Sequence, residues 1–578
     1  MRKHVRKLII ILLVGVIGFT YLYKLTEIPD SFSNDEAIFG YNAYSLLQTG
    51  RDEYGKLLPI ISESNGDFKL LLLSYWLIPF VKIFGLNEFA VRLGQVIATF
   101  AVLTIVFLLV KKISGNVKLG LLTLFLLSLS PWFIIFGRSA CETMISMFFF
   151  YLSMYLFLNW DENRKFIWFF LGIVSGTISA IGYYSVWFIL MIVLLMVFVR
   201  SFFVRKNVSS FIVTAALVII PMVIVATALM ASGSARMKQI NLLKNSNVQA
   251  LLEEQIREDQ QSLPYTVTRG FHNKIAFYPY FVARQFIQTF NVDFLFFSGD
   301  TAGTLYVVPY TGVFYLWYLP FLFLGLYYFF RYWRISYQKL VVPLLIVAIF
   351  FAGSLSVYGS PSQRTIMAAP LLCLIIAYGI YKSHKLFSTY VVYKASIVIG
   401  LLLVIFQTGS FLHQYSTHAN VHLPWFRNYG DKYMIQAVNH LQKKYQKVVA
   451  PETSYSAFYF YNKVDPKIAQ ANSQQRQDIK NGLGHLIRKE ANGIILMPID
   501  CPVAGKLKVL YVCSGTNIPQ NARIVEEIRY RDGQPAYTLL EFSETPLVQP
   551  PNNLHFFEKS SILSENDQRY WLDATEVE

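Results

Sequence analysis

At 578 residues the chain is long enough for about four soluble domains, yet 54% of it is hydrophobic and only 15% charged. Its mean hydropathy of +0.41 and its 48 Phe, 37 Tyr and 9 Trp exclude a soluble or disordered protein. The formal charge of +16 does not indicate nucleic acid, because most of the basic excess sits in short clusters at the ends of apolar runs and reads as membrane topology.

The N-terminal stretch MRKHVRKLIIILLVGVIGFTYLY begins like a signal peptide. Its apolar run reaches about 17 residues with no small-residue cleavage site after it, so it is read as a retained anchor. With roughly 20 apolar residues per crossing, about eleven spans are expected. They lie near 8–24, 92–110, 119–136, 143–159, 166–182, 186–204, 208–230, 311–330, 340–358, 365–381 and 391–412. A further apolar stretch, Leu70 to Phe84, contains Pro79 and Lys82 and carries the interfacial aromatics Tyr75 and Trp76.

The positive-inside rule places that stretch. If it lies on the membrane surface, the cytoplasmic side collects Arg2, Lys3, Arg6, Lys7, Lys111, Lys112, Lys118, Arg164, Lys165, Arg200, Arg205, Lys206, Arg331, Arg334, Lys339, Lys382, Lys385 and Lys394. The short outer loops then carry only Arg138 and Arg364. If it crossed, every cluster after the N-terminal one would move outside. The expected protein is therefore a multi-pass protein of the cell membrane, with a cytoplasmic N-terminus and an extracytoplasmic C-terminus.

Three long segments share the outer face, at 25–91, 231–310 and 413–578. The first two are counted with a transmembrane domain over 1–412. The third reads as a small extracytoplasmic α/β domain. In it Met434, Ile435, Val438 and Leu441 recur at helical spacing, KVVAP and NGIILMPI read as buried strands, and ARIVEEIRYRDGQPAYTLLEF reads as a hairpin about Asp532-Gly533. The polar tail after Pro550-Pro551 is expected to be loosely ordered. In the middle loop, Ala250 to Gln261 reads as a solvated helix. Cys141 and Cys373 fall at or within apolar segments, whereas Cys501 and Cys513 are either a disulfide closing a short loop or two free thiols. No internal repeat or inverted symmetry is visible, which speaks against a transporter.

The chemistry-bearing residues concentrate on the outer face. Asp35 and Glu36 head an amphipathic run through Ile38, Phe39, Tyr41, Ala43, Tyr44, Leu46 and Leu47, a pattern that lies in the membrane interface. The plain alternative is an acidic pair favoured by a helix N-terminus. At the junction of the third and fourth spans, GRSACETM holds Arg138 and Glu142, which are either an ion pair or the lining of a cavity, since ionisable groups at membrane depth are costly. Lys69 and Arg364 add cations on the same face. A cavity ringed by these groups would offer carboxylates for proton transfer and cations for a phosphate.

The first loop, with its acidic pair, TGRDEYG, LP, FK, and IFG followed by NEFAVR, resembles bacterial members of glycosyltransferase family 39, the protein mannosyltransferase and aminoarabinose transferase relatives within the GT-C superfamily. GRSACET, FLFFSGD at 294–300 and PSQRTIMAAP at 361–370 are similar to the same group. More loosely, so are LQKKYQKVVA and VDP in the tail. The resemblance implies a helical GT-C transmembrane fold and places Asp35 as the general base with Glu36 beside it. It makes Glu142 the second acidic residue and Lys69 a contact of the donor phosphate, although Phe-Lys-Leu-Leu stands here where the aminoarabinose transferases read Lys-Pro-Pro. Some relatives bind a divalent metal with a loop histidine. His272 is the nearest counterpart, and no metal site is assigned, a divalent requirement being left open.

The reading that follows is a transferase facing outward, where nucleotide sugars are absent. The resemblance makes a polyprenyl-phosphate-linked sugar the expected donor and a protein, lipid or cell-wall glycan the expected acceptor, with lipid around the chain. Asp35 takes the acceptor proton and inversion results. Lys69, Arg138 and Arg364 offset charge on the leaving phosphate, Glu142 orients a cation or the acceptor, and Tyr183 and Tyr184 line the donor. The competing readings are a lipid-linked sugar flippase and a non-catalytic membrane assembly protein.

Overall fold

The computed structural model describes residues 2–64, 67–163, 165–205, 223, 246–300, 305–306, 308–333, 336–355, 361–387, 391–474, 476–477, 486–487, 489–497, 501–502, 505–514 and 518–543. The expected span at 208–230, apart from Val223, and the polar tail after Pro550 lie outside the described residues. Two compact units emerge: residues 1–29, 67–76 and 92–422 in one, and 30–66, 77–91 and 423–578 in the other. The chain runs through helices α1 (Arg2–Leu22), α2 (Asn34–Thr49), α3 (Leu72–Phe84), α4 (Glu88–Ser114), α5 (Val117–Leu129), α6 (Pro131–Arg138), α7 (Glu142–Asn163), α8 (Phe166–Ala180) and α9 (Ser185–Arg205). Ser246–Asp259, Tyr265–Phe271, Lys274–Thr289, Tyr318–Tyr332, Ser336–Ser354, Ala369–Phe387 and Val391–Ser416 are further helices.

Among the described residues five helices are long and apolar enough to cross a membrane, namely Glu88–Ser114, Glu142–Asn163, Tyr337–Ser354, Pro361–Phe387 and Val398–Asn420. The pair α5 and α6 would count as a sixth, bent by 64°. That bend corrects the single straight span expected at 119–136, and its cause is local. Pro131 opens α6, and Ser130 both donates to Leu127 O (2.8 Å) and accepts from the Phe133 N–H (3.3 Å), so one serine ends one helix and starts the next. Likewise the expected span at 311–330 is helical only from Tyr318. α3 is 13 residues long, about 20 Å, short of the ~30 Å hydrocarbon core.

The helical unit is held by hydroxyl groups that reach carbonyls of other helices. Tyr21 bonds Ser128 O (2.9 Å), Tyr318 bonds Leu126 O (2.7 Å), Tyr151 bonds Met367 O (2.6 Å), and Ser146 bonds Ser179 O (2.7 Å). In lipid such bonds replace the hydrophobic drive that water would supply. Gly325 and Gly379 let two helices touch backbone to backbone, since a Cβ would come within 2.1 Å of Ile375 O at the first and 2.3 Å of Phe321 O at the second.

The second unit is built on a six-stranded sheet. Its strands are β3 (Lys447–Pro451), β6 (Lys489–Ala491), β7 (Ile494–Met497), β8 (Val509–Cys513), β9 (Ala522–Arg529) and β10 (Pro535–Phe542), in the order β6-β7-β3-β8-β10-β9. The short strands β1 (Ile61–Ser64), β2 (Asp67–Leu70), β4 (Arg476–Gln477) and β5 (Leu486–Ile487) lie outside that sheet. β3 pairs in parallel with both β7 and β8, Val448 standing opposite Ile494 and Leu510. A strand with two parallel neighbours reads as an apolar run, and KVVAP is one. Asn492 and Gly493, both at positive φ, make the tight turn between β6 and β7 that left-handed residues favour. The Asp532-Gly533 turn closes β9 onto β10, with Tyr530 N–H donating to Gln534 O at 2.8 Å. Val449, Ile495, Tyr511, Leu540 and Phe542 form the core on one face. Cys501 and Cys513 are joined as a disulfide, which resolves the alternative that the sequence left open.

Candidate functional site

The two acidic residues at the start of α2 have different tasks. Ser33 is the N-cap, with its Oγ accepting the Glu36 N–H (3.2 Å) while Ser33 N–H donates to Glu36 Oε2 (3.1 Å). This capping box satisfies two N–H groups of the helix end, and Glu36, only 2% exposed, is committed to it. Asp35 sits in the same first turn, partly exposed, where a carboxylate complements the helix N-terminus. The turn itself is pinned. Asn428 Oδ1 accepts the Asn34 N–H (3.0 Å), Asn34 Nδ2 donates to Thr453 O (3.1 Å), and Ser456 Oγ donates to Asn34 Oδ1 (2.8 Å). Phe32 packs on Phe460 with ring centroids 4.7 Å apart.

TGRDEYG is a built turn followed by a buried charge. Asp52 accepts the N–H groups of Tyr54 (3.0 Å) and Lys56 (2.8 Å) and the hydroxyl of Ser62 (2.7 Å). Glu53 next to it is 3% exposed, accepts the Tyr455 hydroxyl on Oε1 (3.2 Å), and among the described residues has no hydrogen-bond partner on Oε2. Burial pushes its carboxyl up to about 7, with Lys489 opposing and Asp52 adding. Lys489 is itself buried, 3.2 Å from Glu452 Oε1 and over the Tyr455 ring, and burial lowers its ammonium while Glu452 and Glu53 resist. The sequence reading passed over this cluster; the signal was the acidic pair inside a Gly-bounded turn, and Lys489 lies too far along the chain to be paired with it by spacing.

In the helical unit, the α6–α7 junction brings Arg138 and Glu142 close in sequence but gives them different surroundings. Arg138, 2% exposed, donates to Thr20 O (2.6 Å), Tyr23 O (2.7 Å), Lys24 O (3.3 Å) and Ile28 O (2.9 and 3.2 Å). It therefore ties together the carbonyls of the last turn of α1 and of the segment that follows it, a structural task where the sequence pattern suggested a phosphate contact. Glu142 opens α7, partly exposed.

Glu142 and Arg364 both act on the buried Tyr183 hydroxyl, in the turn after α8. Burial raises that hydroxyl, Arg364 opposes, and Glu142 adds to the rise. Tyr184 reaches the other way and donates to Phe68 O at 3.2 Å, which fixes the strand that carries Lys69.

Asp300, which sequence reasoning did not single out, links two of the quoted motifs. It accepts the Ser362 hydroxyl (2.9 Å) and N–H (3.4 Å), and the Trp132 indole N–H donates to Ser362 O (2.9 Å). Asp300 of FLFFSGD, Ser362 of PSQR and Trp132 at the start of α6 are therefore tied together. His272 Nε2 lies 2.9 Å from Asp259 Oδ2. Among the described residues no three His, Cys, Asp or Glu side chains gather as metal ligands.

Residues 71–226 match the family model described as dolichyl-phosphate-mannose-protein mannosyltransferase. An uncharacterized protein of Aquifex aeolicus (strain VF5) is 26% identical over 181 residues, 30% of this chain and 34% of that protein, so the chain spans about a third of the curated relative it matches. Among solved structures, ArnT from Cupriavidus metallidurans bound to undecaprenyl phosphate aligns at 9% identity and a TM-score of 0.49, covering 92% of this chain and 97% of that one. The oligosaccharyltransferase AglB from Archaeoglobus fulgidus, in complex with an inhibitory peptide and a dolichol-phosphate, aligns at 10% identity and 0.45, covering 78% and 63%. Over the matched segment, the chain resembles the protein mannosyltransferase relatives among the GT-C glycosyltransferases, as its motifs indicate.

Proposed function

We propose that this protein is a membrane glycosyltransferase that moves a sugar from a polyprenyl-phosphate donor to an acceptor hydroxyl on the extracytoplasmic face, with inversion. The observation that carries the reading is the division of labour at α2, where Glu36 closes the cap and Asp35 stays partly exposed beside it. In this reading Asp35 accepts the proton of the acceptor hydroxyl as its oxygen bonds to the anomeric carbon. The bond from that carbon to the phosphate oxygen breaks, and the electron pair leaves with the polyprenyl phosphate. Lys69 and Arg364 offset the charge that develops there. Arg138 holds the junction in place, and Glu142 with Tyr183 orients the sugar or its acceptor.

Support comes from the family match, which contains Arg138, Glu142, Tyr183 and Tyr184, and from the apolar helices, which place the protein in a membrane. The flippase alternative gains no specific observation. The test is reconstitution of the purified protein in liposomes with polyprenyl-phosphate-linked sugars. Transfer should occur, and Lys69→Ala and Arg364→Ala should each lower kcat/KM for the donor by about 10- to 100-fold while the protein remains folded. Donor dependence unchanged in both variants would remove the assigned phosphate site.

A further inference from the structure

We infer that the helix Lys274–Thr289 and the turn before it dock on the membrane surface, with an open apolar stripe in the acyl boundary and Arg269, Lys274 and Arg284 against anionic lipid head groups. The inference goes beyond the transferase reading and does not depend on it.

The sequence puts two apolar faces on this one helix. The first is used: Phe277 and Tyr278 are buried in a cluster with Val248 and Leu252 of the helix Ser246–Asp259, and Phe281 and Val282 pack against it. The second is open. Ala276, Tyr280, Ala283 and Ile287 recur at i, i+4, i+7 and i+11, the spacing of a stripe along a helix, and all four are exposed, as are Ile275 and Pro279. Ile275 is 87% exposed, Tyr280 66% and Ile287 64%, and Phe271, which ends the short helix before, is 71% exposed. Single exposed apolar side chains need no partner, but a continuous stripe of them marks a surface that something covers.

Charge and position decide what covers it. Between Asp259 and Asp293 the chain holds Arg269, Lys274 and Arg284 and no Asp or Glu. Arg269 stands over the Tyr265 ring, 5.9 Å from its centroid, and among the described residues none of the three cations has a carboxylate at ion-pairing distance. His272, 2.9 Å from Asp259, ties the turn to Ser246–Asp259. That helix covers the buried face, so its carboxylates stand away from the open stripe. A second copy meeting this stripe with its own would bring like charges together, whereas anionic head groups match them. Tyr265 and Tyr280 are of the type that membrane interfaces favour. Position agrees. Phe290, directly after the helix, packs on Phe350 with ring centroids 4.8 Å apart, and Phe350 belongs to Tyr337–Ser354, one of the helices long and apolar enough to cross a membrane.

The test uses the full-length protein in lipid nanodiscs, with Ile275→Cys and Tyr280→Cys each labelled with the fluorophore bimane, the native free thiols Cys141 and Cys373 being buried. Glu254→Cys, on the exposed side of Ser246–Asp259, is the control. Bimane at either test position should be quenched by nitroxide-bearing phosphatidylcholine and shielded from aqueous iodide, and the control should show the reverse. Added phosphatidylglycerol should deepen the lipid quenching. Combining Arg269→Gln, Lys274→Gln and Arg284→Gln should abolish that gain, the ratio of docked to free helix falling about fivefold per cation. Iodide quenching at both test positions in every lipid would overturn the inference. Shielding from both quenchers would do so too, because protein would then cover the stripe. Lipid quenching indifferent to phosphatidylglycerol and to the triple variant would overturn the assignment of anionic head groups.

Discussion

Glu53 is a carboxyl group buried beside a buried ammonium, and its consequence is a pH dependence of stability. Its ordinary value of 4.5 is pushed up to about 7 by burial, so the folded chain keeps a proton that the unfolded chain releases. Stability is therefore greatest below the unfolded value and falls as pH rises from about 4.5 to about 7, by on the order of 2–3 kcal/mol. Glu53→Gln should flatten the thermal-unfolding midpoint across that window and raise it above neutral pH; a midpoint with the wild-type pH profile would remove Glu53 as its source. Arg138→Ala strips a buried guanidinium from four backbone carbonyls and should cost on the order of 3 kcal/mol or more, read as a lower melting temperature in detergent. Glu53 and Lys489 were not legible as a pair in the sequence, because more than four hundred residues separate them, whereas Arg138 stood out as a cation in a short outer loop. Ser33 and Glu36 stand at the spacing of a capping box, so that division of labour could have been read from the chain. The carbonyls that hold Arg138 could not, because they lie more than a hundred residues away.

At the scale of elements, α2 is fixed by close approach as well as by its cap. A Cβ at Gly40 would come within 2.7 Å of both Phe460 and Val91, with no flexible side-chain end to yield on either side. Gly40→Val should destabilise the sheet-bearing unit by about 1–3 kcal/mol, measured by limited proteolysis at increasing temperature; unchanged resistance would mean that the helix can shift at no cost. The disulfide between Cys501 and Cys513, 12 residues apart, closes a loop whose constraint on the unfolded chain is about 3 kcal/mol. Reduction with dithiothreitol should lower the melting temperature of wild type and leave the double Cys→Ser variant unaffected. The strands at KVVAP and IILM followed from short apolar runs and the last hairpin from its Asp-Gly pair, because both signals are local, whereas the Asn492-Gly493 turn between β6 and β7 stood inside the segment read as one strand. The break between α5 and α6 was missed because a hydropathy window averages across Ser130-Pro131, although that pair is itself a stop-and-start signal.

For the whole molecule, composition pointed to a membrane protein, and five described helices are long and apolar enough to cross one. The number of crossings was less legible, since helix length depends on where each helix is capped and several apolar runs continue into turns. The grouping of the first loop's residues 30–66 with 423–578 in one compact unit depends on contacts between remote parts of the chain, which periodicity does not encode. The proposed chemistry of that first loop is tested by the rate of sugar transfer from a polyprenyl-phosphate donor by Asp35→Asn and by Glu36→Gln, each in liposomes at matched amounts of folded protein. Asp35→Asn should lower kcat by about 10²- to 10⁴-fold, while Glu36→Gln should mainly lower stability, by about 1 kcal/mol. Full turnover by Asp35→Asn would contradict it.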